Sequence, residues 1–269
     1  MTVLLQISDP HFGTEQPPVA EALLRFAHQV RPVALVLSGD ITQRARRAQF
    51  AAARDFVARI SAPALVAIPG NHDIPLINVI ARMFYPYAGF EQAFGANLEP
   101  QWHSDDFLVI GVNTTRARRH KDGEVSPEQI LRVSKRLATA GARQIRIVVT
   151  HQPVHVIRGS EVHNRLHGHA EAIQAWSSAG ADVIMGGHIH LPYVAALHEH
   201  YGDLRRRCWA VQAGTAVSTR VRRRHPNSVN LIKRDGAQNC LVERWDYSAE
   251  RNEFHCVQTT SLNLDRGRS

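Results

Sequence analysis

Short apolar runs alternate with amphipathic segments along the first two-thirds of the chain. The runs at 3–7, 34–38 and 64–68 have the length of buried β-strands. Between them, apolar residues recur with helical spacing over 19–30 and 46–60. This order predicts a βαβαβ unit, in which right-handed crossovers make the strands parallel and place the helices against the sheet.

The alternation continues beyond this unit and changes character at Tyr193. Further helices are predicted at 76–84, 126–140 and 169–179, and further strands at 107–113, 144–150 and 182–185. After Tyr193, short strands separated by turns are predicted at 208–213, 228–233, 241–247 and 254–260. These later strands predict a second, largely antiparallel sheet packed on the first. We expect an α/β fold in a single domain over residues 1–264, with a frayed tail at 265–269.

Composition narrows the class of protein. A hydrophobic content of 44% with 21% charged residues is ordinary for a globular domain. No apolar run approaches the roughly 18 residues of a membrane span, and the first ten residues do not resemble a secretory signal. Three cysteines, Cys208, Cys240 and Cys256, cannot form a closed set of disulfides, which favours free thiols in a reducing compartment. We therefore expect a cytoplasmic protein without a membrane span.

The chain is basic, with a formal net charge of +8, and all but three of its 32 Lys and Arg residues are arginine. Arginine binds phosphate through paired hydrogen bonds, so an anionic partner is one interpretation. A genome rich in G and C, which favours arginine codons, is an equal alternative. The stretch 204–234 has nine Lys and Arg residues and no acid. It is either an electrostatic guide for a phosphorylated substrate, including nucleic acid, or a solvated charged hairpin.

Five polar clusters each follow a predicted strand directly. They are Asp9-Pro10-His11, Gly39-Asp40, Gly70-Asn71-His72-Asp73, His151 and Gly187-His188-Ile189-His190. Ligands of open α/β sheets bind outside the carboxyl ends of the strands, so these side chains are expected to converge on one rim. Each cluster alone is weak evidence, but chance does not readily place all five at successive strand ends.

The residue types in these clusters are those of a divalent metal site. Neutral imidazole, carboxylate and amide oxygen suit Mn²⁺, Fe²⁺ or Zn²⁺, and the absence of cysteine argues against a structural zinc site. Seven candidate ligands exceed the needs of one catalytic ion that keeps an open position. They suit two ions about 3.5–4 Å apart that share a carboxylate, an arrangement used in phosphoryl displacement.

This combination of motifs resembles the calcineurin-like metallophosphoesterase superfamily over residues 3–192. The resemblance implies a sandwich of two mixed β-sheets flanked by helices, and hydrolysis of a phosphoester by a metal-bridging hydroxide. It also implies a ligand set for two divalent ions (Mn, Fe or Zn). One ion would be held by Asp9, His11 and His190, the other by Asn71, His151 and His188, and Asp40 would bridge them.

Three further residues are candidates for roles in the site. The resemblance implies that His72 does not bind metal but assists the leaving oxygen or stabilises the transferring phosphoryl group. It implies that Asp73 orients the His72 ring. Asn113 ends the predicted strand 107–113 on the same rim and is a candidate contact for substrate.

Residues within the motifs discriminate among the subgroups. Serine/threonine phosphatases of the superfamily carry a second Asp where this chain has Gln43, and many UDP-diacylglucosamine hydrolases carry Arg where it has His72. The pattern is most similar to class III cyclic-nucleotide phosphodiesterases. We expect a phosphodiesterase acting on cyclic nucleotides or other small diesters, with a nuclease or a phosphomonoesterase as alternatives.

A protein without activity that serves as a binding scaffold is the other class considered. Such a protein would lack some of the metal-ligating residues, and none of the seven is missing here. Nucleic acid and a second copy of the chain stay open as partners.

Overall fold

A computed structural model describes residues 2–222, 225–236 and 238–265 of the chain. Within them the chain forms twelve strands and seven α-helices. The strands are β1 (Val3–Ile7), β2 (Ala34–Ser38), β3 (Leu65–Ile68), β4 (Gln101–His103), β5 (Phe107–Gly111), β6 (Ile145–Val149), β7 (Val183–Gly186), β8 (Tyr193–Ala196), β9 (Trp209–Gln212), β10 (Ser228–Asp235), β11 (Asn239–Ser248) and β12 (Glu253–Asn263). The helices are α1 (Pro17–Val30), α2 (Arg47–Ile60), α3 (Val79–Phe84), α4 (Ala88–Phe94), α5 (Pro127–Ala138), α6 (His169–Ser178) and α7 (Leu197–His200).

The strands form two six-stranded mixed sheets. The first has the order β12-β11-β10-β1-β2-β3, in which β1, β2 and β3 are parallel and the later strands antiparallel. The second has the order β4-β5-β6-β7-β9-β8, with a parallel centre and antiparallel edge strands. The predicted sandwich of two mixed sheets is confirmed.

Side chains on both faces of each sheet are buried, which sets the layer order. In β1, Leu4 packs into the apolar cluster between the two sheets, whereas Leu5 packs with α1 and α2 on the outer face. On the outer face of the second sheet, Trp176 of α6 and Leu137 of α5 cover the strands. Burying one leucine contributes about 2 kcal/mol to stability. Because both faces of these strands are buried, their sequences are continuous apolar runs. The layers are therefore helix, sheet, sheet, helix.

The prediction for the C-terminal third is wrong in its pairing. The later strands do not form a separate antiparallel sheet: β10 pairs with β1 and brings β11 and β12 into the first sheet. By contrast, β9 lies parallel to β7 in the second sheet. Alternation of apolar and polar residues identifies a strand, but it does not indicate which other strand pairs with it. Long-range packing decides that pairing.

The segment after β3 also differs from its prediction. The helix predicted at 76–84 begins only at Val79, where the Asn78 side chain accepts a hydrogen bond from the Ala81 amide and caps it. The short elements β4, β8, α4 and α7 had no predicted counterpart. Of the predicted tail, 266–269 lie outside the described residues, as do Arg223 and Arg224 of the basic stretch. None of the helices in the described part of the chain has the length and apolar content that crossing a bilayer requires.

Candidate metal centre

The loops that leave five strands meet at one edge of the sandwich. Those strands are β1, β2 and β3 of the first sheet and β6 and β7 of the second. Their loops carry, in order, Asp9 and His11, then Asp40, then Asn71 with His72 and Asp73, then His151, then His188 and His190. The centre therefore draws side chains from both sheets, and the convergence predicted at the strand ends is found.

Five of these residues have a backbone conformation that is rare outside glycine. Asp9, His11, Asp40, His188 and His190 all have φ between 44° and 70°. A non-glycine residue held in the left-handed region costs on the order of 1–3 kcal/mol, and such residues cluster at functional sites. The sharp bends direct successive side chains of one loop towards a common point. Packing of the sandwich holds the backbone in this strained conformation.

Two glycines allow the loops to approach one another closely. Gly39 has φ of 94°, and a Cβ there would collide with the imidazole ring of His151. A Cβ on Gly70 would collide with the backbone nitrogen and carboxylate of Asp40. The glycines before Asp40 and Asn71 are therefore packing requirements of the site.

One group of side chains comprises Asp9, His11 and His190. The His190 Nε2 atom lies 3.2 Å from Oδ1 of Asp9 and 3.1 Å from Nε2 of His11. His11 Nε2 lies 3.8 Å from the same Asp9 oxygen. Potential ligand atoms of all three residues lie within 4.8 Å of one another, which is the spacing of donors around a single cation.

A second group comprises Asp40, His151 and His188, and Asn71 lies beside it. The His151 Nε2 atom is 3.3 Å from Oδ1 of Asp40 and 3.2 Å from Oδ1 of Asn71. The other carboxylate oxygen of Asp40 lies 3.8 Å from Nε2 of His11, in the first group. One carboxylate thus faces both groups, as a bridging ligand must.

Outer contacts fix the orientation of these rings. The Nδ1 atom of His151 lies 2.9 Å from the Ser38 carbonyl, and that of His190 lies 2.6 Å from the Arg220 carbonyl. A ring whose Nδ1–H donates to a carbonyl presents the Nε2 lone pair to the centre. Among the described residues, the buried Nδ1 of His188 has no hydrogen-bond partner. Such an atom is uncommon in a protein interior and is consistent with a site for a cation.

The ionisation of the groups also suits a cation. Burial lowers the pKa of His11 and of His188 to about 3, so both imidazoles are neutral near pH 7. Burial would raise the pKa of Asp9, but His190 and His151 outweigh it and lower the pKa to about 2. Burial likewise opposes ionisation of Asp40, yet His151 and its neighbours hold that pKa well below the usual value. Buried carboxylates beside the neutral imidazoles of His11 and His188 are donors that suit divalent metals.

Two histidines differ from His11 and His188. Burial would lower the pKa of His190, but the charge and hydrogen bond of Asp9 raise it. The other is His151. Burial alone would lower its pKa, but the charge and hydrogen bond of Asp40, with the charge of Asp9, raise it to about 9. The ring is therefore protonated near pH 7 in the metal-free protein. A metal that binds there must displace this proton.

Asp73 does not orient the His72 ring, so that prediction is wrong. Its carboxylate accepts hydrogen bonds from the amides of Ile41, Thr42 and Gly70, at 3.0, 2.7 and 2.9 Å. It therefore ties the loop after β3 to the loop after β2. The ring of His72 is oriented instead by the Gln43 carbonyl, 2.9 Å from its Nδ1 atom. The two short loops pack side by side, which leaves the carboxylate facing backbone rather than the ring.

Asn113 lies in a loop after β5 and is nearly buried. Its side-chain oxygen accepts hydrogen bonds from the amide and hydroxyl of Thr115, at 3.0 and 2.7 Å. This is a local turn contact that shapes the loop. The contact of Asn113 with substrate stays a prediction.

Sequence reasoning missed a buried polar network beneath the centre. Gln6 donates to Ser38 at 3.1 Å and to the Gly186 carbonyl at 3.2 Å, and it accepts from Asn230 at 2.9 Å. Gln212 donates to the Gly187 carbonyl. These amides tie the strand ends of the two sheets together. Each is a polar residue inside an otherwise apolar strand, and that exception to the pattern is a signal that could have identified it.

Arg220 was also missed. It lies within the basic stretch 204–234, and the sequence did not predict where that stretch lies relative to the site. Its Nη1 atom is 3.1 Å from Nε2 of His72 and 3.1 Å from the side-chain oxygen of Gln43. A cavity of about 190 Å³ opens beside His72 and Asn71, and Arg44 and Lys121 contribute to its walls. The centre is thus bordered by cations that suit an anionic substrate.

Seven donor residues, one of which is the carboxylate that faces both groups, lie beside a basic cavity. This arrangement fits the class of hydrolases that use two metal ions. The sequence profile of the calcineurin-like phosphoesterase family matches residues 2–192. The chain belongs to this family, and its side chains fit a dinuclear metal site.

One curated relative is similar to this chain in sequence, and two solved structures share its fold. The chain is 27% identical over 162 residues to a probable cyclic nucleotide phosphodiesterase of Synechococcus sp., and the match covers 56% of this chain and 58% of that protein. The chain thus spans about three-fifths of the length of this relative. A dimetal phosphatase from Danio rerio is 12% identical, with a TM-score of 0.67, over 98% of this chain and 99% of its own. The purple acid phosphatase PPD1 of yellow lupin is 14% identical, with a TM-score of 0.71, over 97% of this chain and 53% of its own.

Proposed function

We propose that the protein is a metal-dependent phosphodiesterase that hydrolyses cyclic nucleotides or other small phosphodiesters. The observation that carries the proposal is the position of Asp40, whose two carboxylate oxygens face His151 in one group and His11 in the other. In this proposal Asp40 bridges two divalent ions. Asp9, His11 and His190 hold one ion, and Asn71, His151 and His188 hold the other.

Two divalent ions held by these residues would supply Lewis acidity and would lower the pKa of a bound water molecule. The remaining chemistry belongs to the side chains of the chain itself. Asp40 and Asp9 stay ionised and offset the cationic charge, while the neutral His11 and His188 rings offer lone pairs. The strained loops hold these donors before substrate arrives, so the site needs little reorganisation on binding.

His72 and Arg220 act at the substrate side of the centre. Because Nδ1 of His72 donates to the Gln43 carbonyl, Nε2 is the ring atom available to the leaving oxygen. In the structure that atom lies 3.1 Å from Arg220. When a phosphoryl oxygen accepts the Arg220 hydrogen bond instead, Nε2 is free to take a proton from solvent and pass it to the leaving oxygen. Arg220 would then stabilise the charge that develops on the phosphoryl group.

Preference for a diester is supported by the space beside His72. The cavity of about 190 Å³ shares two wall residues, Arg44 and Leu76, with a neighbouring cavity of about 560 Å³. A diester carries two substituents, and in this proposal the neighbouring cavity accommodates the one that does not leave. The curated name of the Synechococcus relative points to the same substrate class.

The test is a comparison of substrates on the Mn²⁺-loaded protein. We expect kcat/KM to be higher for bis(p-nitrophenyl) phosphate than for p-nitrophenyl phosphate, and we expect turnover of at least one cyclic nucleotide in a panel that includes single-stranded DNA. Higher kcat/KM for the monoester would overturn the diesterase proposal. If DNA is the preferred substrate, its affinity must fall steeply with salt, because binding several phosphates releases counterions. That outcome would replace the small-diester proposal with a nuclease.

A further inference from the structure

Helix α3 is inverted relative to an ordinary surface helix. Its apolar side chains point to solvent: Ile80 is 72% exposed, and Val79, Met83 and Phe84 are similarly exposed. Its one charged residue, Arg82, is only 8% exposed. The Arg82 guanidinium donates to the carbonyls of Ala117 and Pro75, at 2.7 and 3.0 Å, which fixes this orientation.

The exposed side chains continue on both sides of the helix and form one surface, the apolar ridge. It consists of Ile77, Val79, Ile80, Met83, Phe84 and Tyr85. Ile77 is 83% exposed and Tyr85 69%. Single exposed apolar residues are common on soluble proteins, but six within nine positions mark a surface that contacts another molecule.

A group of arginines, the basic flank, lies next to the apolar ridge. Arg44, Arg46 and Arg47 are exposed, and they line the cavity of about 560 Å³ together with Ile77 and Tyr85. Within residues 2–222, 225–236 and 238–265, none of these three guanidinium groups forms an ion pair with a carboxylate. The basic flank is therefore available to an external anion.

We propose that the apolar ridge and the basic flank dock the protein on the surface of an anionic phospholipid bilayer. An apolar helix face bordered by arginines has the composition of interfacial helices, which sink their apolar side chains to the boundary of headgroups and acyl chains. Each nearby arginine then adds attraction to anionic headgroups. A second copy of the chain fits less well, because a two-fold contact through the ridge would bring two basic flanks together.

Docking in this orientation brings the metal centre close to the lipid surface. The cavity that contains the basic flank shares Arg44 and Leu76 with the cavity beside His72. A phosphoester carried by a lipid, or released at the bilayer surface, would enter the centre from this side. The docking itself does not depend on the proposed diesterase activity, so the two can fail separately.

The experiment is co-sedimentation of the full chain with vesicles made of equal parts phosphatidylglycerol and phosphatidylcholine. We expect the wild-type protein to bind, and we expect Ile80→Gln/Phe84→Gln to weaken the apparent affinity by about tenfold or more, since two apolar side chains no longer enter the lipid. Arg46→Gln/Arg47→Gln should weaken it by about tenfold as well, and vesicles of phosphatidylcholine alone should bind less. Val79→Gln/Met83→Gln serves as an independent variant of the same surface.

Matched controls isolate the surface from the chemistry. Leu131→Gln removes an exposed leucine on α5, and Arg205→Gln removes an exposed arginine elsewhere, so both should bind vesicles as the wild type does. Asp40→Asn should also bind normally although the metal centre is altered. Absence of wild-type binding, or equal binding by the ridge variants, would overturn the proposal. So would a dimer in sedimentation velocity that Ile80→Gln/Phe84→Gln converts to a monomer, because the ridge would then be a contact between copies.

Discussion

The metal centre and the apolar ridge are neighbours that break the usual burial pattern in opposite directions. In the centre, ionised carboxylates and histidines are buried, whereas a few residues further along the chain, Ile77 and Ile80 are exposed to water. Both arrangements cost folding free energy. The difference lies in what offsets that cost. Loops at the strand ends tie the centre into the core, whereas the contacts of Arg82 with two backbone carbonyls hold the ridge in its orientation. Exceptions of this kind mark the parts of a protein that meet ligands.

Of the changes that distinguish the metal centre from the apolar ridge, Asp40→Ala should have the largest effect. Both groups of donors lose their shared carboxylate, so we expect loss of metal from both positions and turnover below detection. Metal content by elemental analysis and turnover of an aryl diester test this. Asp55→Ala, on the exposed face of α2, is the control and should keep both. Two bound metals and full turnover in the Asp40 variant would exclude the dinuclear assignment.

His72→Ala should separate catalysis from metal binding. We expect metal content to be retained and kcat to fall by about 10²–10⁴-fold, the usual contribution of a general acid or base. The loss should be smallest for an aryl leaving group and largest for an alkyl one, because a poor leaving group needs the proton most. Equal losses across a series of leaving groups would contradict this role.

Gly39→Ala should destabilise the centre more than an equivalent change at a remote glycine. Gly39 and Gly95 both have positive φ, 94° and 97°, but a Cβ at Gly39 meets the His151 ring and one at Gly95 meets nothing within 4 Å. Backbone strain is common to both variants and costs on the order of 1–3 kcal/mol. We expect a larger loss of unfolding free energy in urea for Gly39→Ala, with weaker Mn²⁺ binding. Equal losses in the two variants would show that the contact with His151 is unimportant.

The smallest expected effect is the pH dependence of metal affinity. Because the pKa of His151 is raised to about 9 in the metal-free protein, metal must displace a proton at any lower pH. Affinity for Mn²⁺ should therefore rise between pH 7 and 9, by up to about tenfold per pH unit, and level off above pH 9. Calorimetry in buffers of different ionisation enthalpy should show release of roughly one proton at pH 7. Affinity that does not change over this range would contradict the protonated His151.

Local sequence patterns predicted most elements of the fold. The bounds of β1 and β2 agree with their predictions, and α1, α2, α5 and α6 lie within one to a few residues of theirs. These elements have one clear period and a recognisable cap or stop, as with Ser126 at the start of α5. Partners of β9 and β10 could not be predicted, because pairing between strands distant in sequence leaves no local pattern.

In the candidate site, too, local patterns predicted some features and contacts between distant segments decided others. Motifs at the strand ends identified the donor residues, because imidazole, carboxylate and amide groups have few reasons to recur directly after buried strands. The role given to Asp73 was wrong, since its carboxylate accepts hydrogen bonds from the amide of Gly70 in its own loop and from the amides of Ile41 and Thr42 in another. Arg220 could not be found, because its neighbour His72 lies 148 residues away in the sequence.

By itself, the sequence determined the alternation of strands and helices, the choice of candidate donor residues and the basic charge of the chain. These properties depend on side-chain chemistry and on spacing over a few residues. Only the tertiary structure decided which sheet each late strand joins, that Asp40 faces both groups of donors, and that α3 turns its apolar side outwards. Each of these depends on contacts between segments far apart along the chain, where relative position is set by packing of the whole core.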